Sequence, residues 1–408
     1  MKSAVVIGAG LAGLSAAMTL AEAGVRVTVL EAGLAAGGRC RSYFDRALGC
    51  RIDNGNHLLL SGNVAAMRYL ARVSGQMVTP GAGGFAFVDL VTGERWAVRP
   101  NRGRLPWWIF ARDRRVLGTG LRDYWGLVRL VRARGAATVA EVCRPGVLYR
   151  RLAEPLAIAA LNTLPEVGLA SLLAAVVRAT LGRGGAACVP LVPEIGLSES
   201  FVDPAVDWLH AHCGEVLTAR RVTGLVRAGG RVVAVETAEG KVSADAVVLA
   251  VPSWVASDLL EDVAGPDAFE AILNVHFLID SGVANFVGVV GGMTEWVFVK
   301  PGVVSVTISA ANRYAEVSVE AVATQVWGEV CTVLGLSGDM PAVRVVREKR
   351  ATFAANAAQE ARRPGPRTSL PNLVLAGDWT ATGLPATIEG AISSGETAAR
   401  MLLKEGYA

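Results

Sequence analysis

Short apolar runs separated by glycines dominate the beginning of the chain. Residues 4–7 form a wholly apolar run of the kind found in buried parallel strands. Residues 11–23 are small and apolar, as in a closely packed helix, and residues 25–30 form a second buried run. The order strand, helix, strand is one complete β-α-β unit.

Later segments continue this pattern. Further strands are predicted at 219–226, 231–237, 246–250 and 372–376, followed by a helix over 387–403. Together they predict an α/β fold with a doubly wound, Rossmann-like domain that is discontinuous in sequence. Its three parts are 1–63, 196–258 and 350–408.

Two insertions separate these parts. The first, 64–195, is rich in Arg, Trp and Leu and is predicted to be helical. The second, 259–349, carries alternating apolar runs at 296–299 and 303–308 and a predicted helix over 317–334. We expect the two insertions to form one α+β domain that binds the substrate.

Composition narrows the class of protein. The 408 residues are 52% hydrophobic and 19% charged, with a mean hydropathy of +0.40, which excludes a disordered, collagen-like or coiled-coil chain. A membrane span needs about 18 or more consecutive apolar residues, and the nearest run, 275–291, is broken by Asp280 and Asn285. We therefore expect a cytoplasmic protein without a spanning anchor.

The net charge of +4 is unevenly distributed. Residues 99–134 contain ten arginines against two aspartates, a local charge of +8, so the remainder sums to −4. Trp107 and Trp108 lie within this stretch, and apolar residues follow at helical spacing. These are Leu117, Leu121, Tyr124, Val128 and Val131.

A basic amphipathic helix with adjacent tryptophans suits an anionic membrane surface. We therefore expect peripheral binding to the inner face of the cell membrane through 99–134. A surface for a partner protein and a solvated face over a core helix are the alternatives. Nucleic-acid binding is disfavoured, because the aromatic residues are clustered rather than interleaved with the arginines.

A glycine fingerprint follows the first predicted strand. Gly8 allows a tight turn, Gly10 lets the backbone approach a pyrophosphate, and Gly13 lets helix and strand pack closely. Glu31 ends the second strand, eighteen residues after Gly13, where an acid binds ribose hydroxyls and disfavours a 2′-phosphate. The arrangement predicts a dinucleotide site.

Two further motifs resemble those of the amine-oxidase-like flavoproteins. Gly37-Gly38-Arg39 follows Glu31, and Gly377-Asp378 precedes Thr387-Ile388-Glu389-Gly390 near the C-terminus. The resemblance implies FAD and an amine-oxidase-like two-domain architecture. It implies that Gly38, Arg39 and Gly377 border the cofactor and that Asp378 meets a ribityl or pyrophosphate hydroxyl. It also implies that the helix starting at Thr387 and Ile388 faces the isoalloxazine ring. Val222 is implied to contact the adenine.

The segment Asp53-Asn54-Gly55-Asn56-His57 resembles the D-x-G-x-H segment of phytoene and carotene desaturases and of the squalene-associated flavoproteins of hopanoid biosynthesis. Gly55 is expected to line the cofactor. The middle of the chain is similar to the hydroxysqualene dehydroxylases, at Glu154-Pro155-Leu156, Leu161-Asn162-Thr163, 190–193 and 197–209. Ala153 departs from this pattern, because an aromatic residue is expected there.

The resemblance implies reductive removal of the hydroxyl group of hydroxysqualene to give squalene. His57 is the first candidate for the proton donor, because the ordinary pKa of histidine suits that role. Its alternative is a structural place beside the flavin. Glu389 is a second candidate, although a glutamate at a helix start is more often a cap. His210, His212 and His276 are expected at the surface or at the edge of the core.

Two other functions stay open. One is oxidative desaturation of a carotenoid-like polyene with reversed electron flow, and the other is a flavin-binding scaffold without catalysis in a lipid-synthesis complex. A second glycine fingerprint does not follow another strand, so a bound NAD(P)H as built-in electron donor is not expected, and the sequence does not identify the donor. The cysteine spacings suit no zinc site, and no metal is expected.

Overall fold

A computed structural model describes residues 2–80, 84–282 and 285–407. The strands within these residues are β1 (Ser3–Ile7), β2 (Arg26–Leu30), β3 (Ser42–Asp45), β4 (Cys50–Asp53), β5 (Leu59–Leu60), β6 (Met77–Val78), β7 (Phe85–Asp89), β8 (Arg95–Val98), β9 (Pro190–Pro193), β10 (Gly214–Leu217), β11 (Val222–Ala228), β12 (Arg231–Thr237), β13 (Gly240–Ser243), β14 (Ala246–Leu249), β15 (Phe269–Leu278), β16 (Asn285–Val290), β17 (Trp296–Lys300), β18 (Val303–Ile308), β19 (Val343–Phe353) and β20 (Leu373–Leu375).

The α-helices are α1 (Leu11–Glu22), α2 (Val64–Val73), α3 (Trp125–Val131), α4 (Val139–Cys143), α5 (Glu154–Leu161), α6 (Ala170–Ala179), α7 (Asp203–Ala211), α8 (Ser253–Leu259), α9 (Val319–Leu334), α10 (Ala357–Glu360) and α11 (Ile388–Lys404). Two π-helical turns, Tyr149–Ala153 and Ser198–Val202, lead directly into α5 and α7.

The doubly wound part is a five-stranded parallel sheet in the order β10-β2-β1-β14-β20. Helices α1 and α11 cross so closely that a Cβ added at Gly395 would lie 2.1 Å from the carbonyl oxygen of Ala12. Sequence patterns predict four of the five strands. The edge strand β10 is missed because it is short and only partly buried, so its apolar pattern is weak.

Strand β11 begins three residues later than predicted. Ala219 has a left-handed backbone, with φ of +53°, which ends any extended run there. From Val222 onward the chain forms a three-stranded antiparallel sheet with β12 and β13, outside the parallel sheet.

A seven-stranded sheet carries the second part, in the order β19-β15-β18-β17-β16-β7-β8. One face is apolar and packs on α9 through residues such as Val275, Val306 and Val330. The prediction that 64–195 is helical is wrong in part, because β7 and β8 of this insertion extend the sheet. Their alternating side chains lie in a segment whose arginines and tryptophans obscure the period of two.

Two expected domain boundaries differ from the way the helices and strands pack. Helix α2 shares its core with α1 and α11 through Ala66 and Leu70, so it packs with the parallel sheet rather than with the insertion. Strand β19 runs across the boundary expected at residue 350. The two sheets, with the helices packed on them, therefore divide the chain at positions other than 63/64 and 349/350.

The apolar residues with helical spacing over 117–131 lie in a helix only from Leu121 on, where a 3₁₀ turn runs directly into α3. The whole segment 99–134 forms 3₁₀ turns at Trp107–Phe110 and Leu121–Tyr124 and the seven-residue helix α3. Between the two turns, Gly118 has a φ of +78°, which no helix residue adopts, so the turns cannot join into one helix. None of the helices in the described residues is long and apolar enough to cross a membrane.

Candidate functional site

The three glycines of the fingerprint have three different environments. Gly8 has a φ of +103°, and a Cβ there would lie 2.6 Å from the carbonyl oxygen of Ala250. A Cβ at Gly13 would lie 1.9 Å from the carbonyl oxygen of Gly8, so helix and turn are in backbone contact. Gly10 is the N-cap of α1, and a Cβ added there would have no atom of the described residues within 4 Å. The open space faces the amino end of a buried helix, which suits a pyrophosphate.

Glu31 lies beside this loop. Its Oε2 accepts a hydrogen bond from the amide of Ala9 at 2.9 Å, and its Oε1 accepts one from Gly33 at 2.7 Å. The amide of Arg220 donates to the carbonyl oxygen of Glu31 at 2.7 Å, two residues before the buried Val222. The residues predicted for the ribose and the adenine are therefore neighbours in space.

The second glycine pair lies over the first loop. The amide of Gly37 donates to the carbonyl oxygen of Ala9 at 2.8 Å, and a Cβ at Gly38 would lie 3.5 Å from the Cα of Gly10. Arg39 then reaches Asp378, donating from Nη2 to Oδ1 and Oδ2 at 2.7 and 2.8 Å. The N- and C-terminal motifs thus meet through a charge-assisted contact.

The C-terminal motif positions a helix amino end at the same place. Gly377 has a φ of +149°, and its amide donates to Ser394 Oγ at 2.8 Å. Thr387 caps α11 by accepting from the amide of Gly390 at 3.1 Å, and Ile388 begins the helix in a largely buried position.

Glu389, the second candidate for the proton donor, is a cap. Its two carboxylate oxygens accept hydrogen bonds from the amides of Ala65 and Ala66, at 3.0 and 2.8 Å. These amides open α2, where a negative charge is favoured by the helix dipole. The arrangement gives Glu389 a structural role between α11 and α2.

The segment 53–57 joins the flavin-binding motifs to the seven-stranded sheet. A Cβ at Gly55 would lie 3.1 Å from Nδ2 of Asn274, and Asn56 donates from Nδ2 to Thr307 Oγ1 at 3.1 Å. Asn274 in turn donates to the carbonyl oxygen of Asn54 at 3.3 Å. Polar residues of β15 and β18 therefore hold this segment against the face opposite α9.

His57 is half-buried beside these contacts. Burial lowers its pKa to about 4; Asp53 raises the value, while Arg39 and Lys300 lower it further. The imidazole is therefore neutral at pH 7, and its protonated form becomes abundant only near pH 4. A histidine with this pKa is a strong acid once it is protonated.

Sequence reasoning missed three residues on the same sheet face. His276, expected at a surface or core edge, is fully buried in β15, and its Nδ1 lies 2.6 Å from Ser305 Oγ. Lys300 at the end of β17 pairs with Asp53 at 2.5 Å, and Asn274 is fully buried two residues before His276. The available signal was the period of two: Asn274 and His276 alternate with apolar residues over 273–277.

Ala153, the departure from the expected pattern, borders a cavity of about 440 Å³ between α3 and the π-helical turn. Trp125, Gly126, Leu148 and Tyr149 also line it. A small side chain at position 153 leaves this space open. Clusters of three or more potential metal ligands are lacking in the residues that the structure describes.

Large apolar side chains are exposed along 99–134. Leu105, Trp107, Phe110 and Trp125 are 57–65% exposed, whereas Trp108 is buried. Arg112 and Arg122 are exposed among them. The surface thus combines aromatic and cationic groups, although it is built from short turns.

Comparison with known proteins agrees with this geometry. Residues 11–279 and 292–403 match the family described as flavin containing amine oxidoreductase. The chain is 46% identical to a hydroxysqualene dehydroxylase of Rhodopseudomonas palustris over 100% of both chains, and 43% identical to one of Zymomonas mobilis over 98% of both. Cyclohexylamine oxidase from Brevibacterium oxydans shares the fold, with a TM-score of 0.70 over 100% of both chains at 16% identity.

These matches confirm the predicted two-domain α/β fold and the predicted flavin cofactor, FAD. They also confirm the resemblance drawn from the middle of the chain, because the relatives match over their full length. The chain belongs to the flavin-containing amine oxidoreductases and, within them, to the hydroxysqualene dehydroxylase family.

Proposed function

We propose that this protein reduces hydroxysqualene to squalene, as a step of squalene and hopanoid biosynthesis. The observation that carries the proposal is the full-length relationship to hydroxysqualene dehydroxylases. The exposed aromatic surface and the polar face beside the flavin motifs support it, because the substrate is a long hydrocarbon with one hydroxyl group.

FAD fits the residues present, since the backbone leaves space at Gly10 in front of α1. When bound, reduced FAD supplies the hydride that replaces the hydroxyl group. The residues proposed to hold it are Gly8, Gly10, Gly13, Glu31, Gly38, Arg39, Gly55, Val222, Gly377, Asp378, Thr387 and Ile388. An external donor, still unidentified, must restore the reduced cofactor.

The chain itself has two further tasks. The allylic C–O bond breaks and the oxygen leaves as water, so one proton must be delivered to it while bulk water is excluded from the allylic cation. We assign the delivery to His57. It lies in the segment that links the flavin motifs to the polar sheet face, and its low pKa makes the protonated form a ready donor.

The test is anaerobic incubation of photoreduced enzyme with hydroxysqualene, followed by mass spectrometry of the extracted lipid. We expect squalene and reoxidised flavin in equal amounts, and neither from oxidised enzyme. Lack of squalene would overturn the proposal. Desaturation of phytoene by the oxidised enzyme would favour the desaturase alternative, and a flavin spectrum unaffected by hydroxysqualene would favour the scaffold.

We also propose that the protein binds peripherally to the anionic inner face of the cell membrane through 99–134. Trp107 and Trp125 are exposed on this surface, and Arg112 and Arg122 accompany them. Interfacial tryptophans and arginines together favour an anionic leaflet. Such binding would place the protein where an insoluble substrate is found.

A further inference from the structure

A cavity of about 440 Å³ lies beside α3, and its described lining residues include none of those proposed to hold FAD. Cys143, Leu148 and Ala153 form a buried wall of the cavity, whereas Trp125 stands at its edge and is 65% exposed. A cavity of this size with an apolar wall and a few polar groups is typical of a site for a small molecule.

The edge of the cavity is cationic. Arg122, Arg129 and Arg144 line it and are exposed to solvent. Among the described residues, no carboxylate forms a salt bridge with any of the three. Asp123 is the only acidic residue of the described lining, and its Oδ2 already accepts a hydrogen bond from the amide of Gly120 at 2.7 Å. The edge therefore carries a net positive charge.

Two of these arginines lie on one face of a helix. The 3₁₀ turn before α3 runs directly into it, and four lining residues have the i, i+3, i+4, i+7 spacing of one helix face: Arg122, Trp125, Gly126 and Arg129. This face touches the end of α4, because a Cβ added at Gly126 would lie 3.0 Å from the carbonyl oxygen of Cys143. Arg122 and Arg129 therefore flank a backbone contact, on a face that usually carries apolar side chains.

Arg144 reaches the edge from a strained backbone. It ends α4 with φ of +58° and ψ of +142°, a conformation that glycine adopts easily and other residues rarely. Strain of this kind clusters at functional sites, where the surrounding structure maintains it. Glycine would suit the turn better, so an arginine here indicates a use for its charged side chain.

The interior of the cavity suits an apolar group. Leu148 and Ala153 are buried there, and burial together with Glu166 and Glu154 raises the pKa of Tyr149, another lining residue. The two carboxylates disfavour an anion beside Tyr149, whereas the arginines favour one at the edge. A cationic edge over an apolar interior matches a lipid with an anionic headgroup.

We propose that this cavity binds one anionic membrane lipid, with its phosphate between the three arginines and the beginning of one acyl chain against Leu148 and Ala153. Guanidinium groups bind phosphate through paired hydrogen bonds, and basic pockets next to a membrane bind anionic headgroups. This lipid site rests on the proposed membrane binding, because the protein must reach the bilayer to meet the lipid. It adds a specific contact to a surface that otherwise attracts the membrane through general charge.

A monomeric lipid separates the cavity from the surrounding surface. Calorimetric titration of the FAD-loaded protein with dioctanoyl phosphatidylglycerol, kept below its micelle concentration, should show saturable binding to a single class of site. Dioctanoyl phosphatidylcholine should bind about tenfold more weakly or worse, because its choline cation is repelled by the arginines. Inorganic phosphate at millimolar concentration should not displace the lipid, since it makes no contact with the apolar interior.

Substitutions separate the edge from the interior. Arg129→Gln should lower the affinity for the monomeric lipid about fivefold, the effect of one cation. Arg112→Gln is the matched control and should leave it unchanged, because Arg112 is exposed in the same segment but is not among the lining residues. Ala153→Phe should abolish binding by filling the interior, and an aromatic residue is the one expected at this position. If Ala153→Phe does not fold, Ala153→Leu replaces it with a weaker effect in the same direction.

Arg144→Gly gives a result that a purely structural arginine would not give. Glycine relieves the strained backbone, so the urea midpoint of unfolding should increase while the affinity for the lipid falls about fivefold. Arg144→Gln should lower the affinity equally without increasing the midpoint.

Equal affinity for the two lipids, displacement by inorganic phosphate, or unchanged affinity in both glutamine variants, Arg129→Gln and Arg144→Gln, would overturn the lipid site. Displacement of the lipid by hydroxysqualene would also overturn it, because the cavity would then belong to the path of the substrate. Failure of the proposed membrane binding would instead appear as wild-type protein that does not co-sediment with phosphatidylglycerol vesicles, and failure of the proposed reaction as a lack of squalene, whatever the calorimetric result.

Discussion

The flavin-binding loops and the polar face of the seven-stranded sheet gather their functional residues in different ways. Gly8, Gly10 and Gly13 lie within one strand–helix turn, and each meets a local backbone requirement. Lys300 reaches Asp53, and His276 reaches Ser305, only through the folding together of strands that are distant in sequence. Local requirements are therefore readable in the sequence, whereas a site made by strand pairing is not.

The largest expected effects come from substitutions at two glycines of the fingerprint, Gly13 and Gly10. In Gly13→Val the new side chain meets the backbone of Gly8, which cannot yield, so we expect the free energy of unfolding to fall by more than about 4 kcal/mol. In Gly10→Ala the fold should survive, because the neighbouring space is free and φ is −72°. FAD affinity should fall at least about tenfold, since the methyl group occupies the space assigned to the pyrophosphate.

Urea unfolding and the flavin absorbance per chain measure the two effects. Gly328→Ala, on the exposed side of α9 with free space around it, is the control: FAD content should be unchanged, and the free energy of unfolding should not fall but rise by up to about 1 kcal/mol, because alanine is the better helix former. Full FAD content in Gly10→Ala would show that the pyrophosphate lies elsewhere.

The second prediction concerns the sheet-facing segment. Replacing His57 with Gln should lower the rate of squalene formation about 10²- to 10⁴-fold, the usual contribution of a general acid. Because the pKa of His57 is about 4, the protonated fraction increases about tenfold for each pH unit between 7 and 5. The wild-type kcat/KM should increase in the same way as the pH falls, and level off near pH 4.

Stopped-flow reoxidation of reduced flavin by hydroxysqualene, measured across this pH range, gives the profile. His212→Gln, an exposed histidine stacked on Trp208, is the matched control. A rate that does not depend on pH in the wild type would assign the proton to another group.

The same contrast explains how much of the molecule the sequence predicts. The β-α-β unit, the parallel sheet and the helix after Thr387 follow from short apolar runs bounded by glycine or a cap, and the structure has them within a few residues. Those signals are local, because a buried parallel strand is apolar on both faces.

The substrate side is less predictable for a physical reason. Leu121, Val128 and Val131 lie in one helical stretch as their spacing predicts, but Gly118, with φ of +78°, separates Leu117 from it. Trp108, expected at the membrane surface with Trp107, is buried against Tyr124 with ring centres 5.5 Å apart. Spacing along the chain cannot show which of two adjacent tryptophans the tertiary packing buries.

A third prediction sharpens this point. Changing both Trp107 and Trp125 to Ala should weaken binding to vesicles containing phosphatidylglycerol by about tenfold or more, because both exposed rings are lost from the interface. Arg112→Gln should weaken it about fivefold, the effect of one cation near an anionic surface. Co-sedimentation at fixed salt measures both, and phosphatidylcholine vesicles should show a smaller loss for the arginine.

Phe44→Ala is the control, because Phe44 is a similarly exposed aromatic residue on a different element, β3. Equal losses from Phe44→Ala and from the tryptophan pair would contradict a binding surface specific to 99–134.

The smallest expected effect concerns the N-cap of α11 at Thr387, on the flavin-binding side. Thr387→Ala removes the hydroxyl that accepts from the amide of Gly390, and an N-cap of this kind contributes about 1 kcal/mol to the free energy of unfolding. Thr387→Ser keeps the hydroxyl and should be close to the wild type in urea unfolding. Because α11 is also held by its packing on α1 and by Glu389 on α2, the helix should stay in place. FAD content should then be unchanged, since the proposed role of Thr387 toward FAD is that of the helix amino end and not of its hydroxyl. A loss of FAD in Thr387→Ala but not in Thr387→Ser would mean that this hydroxyl contacts the cofactor directly as well as capping the helix.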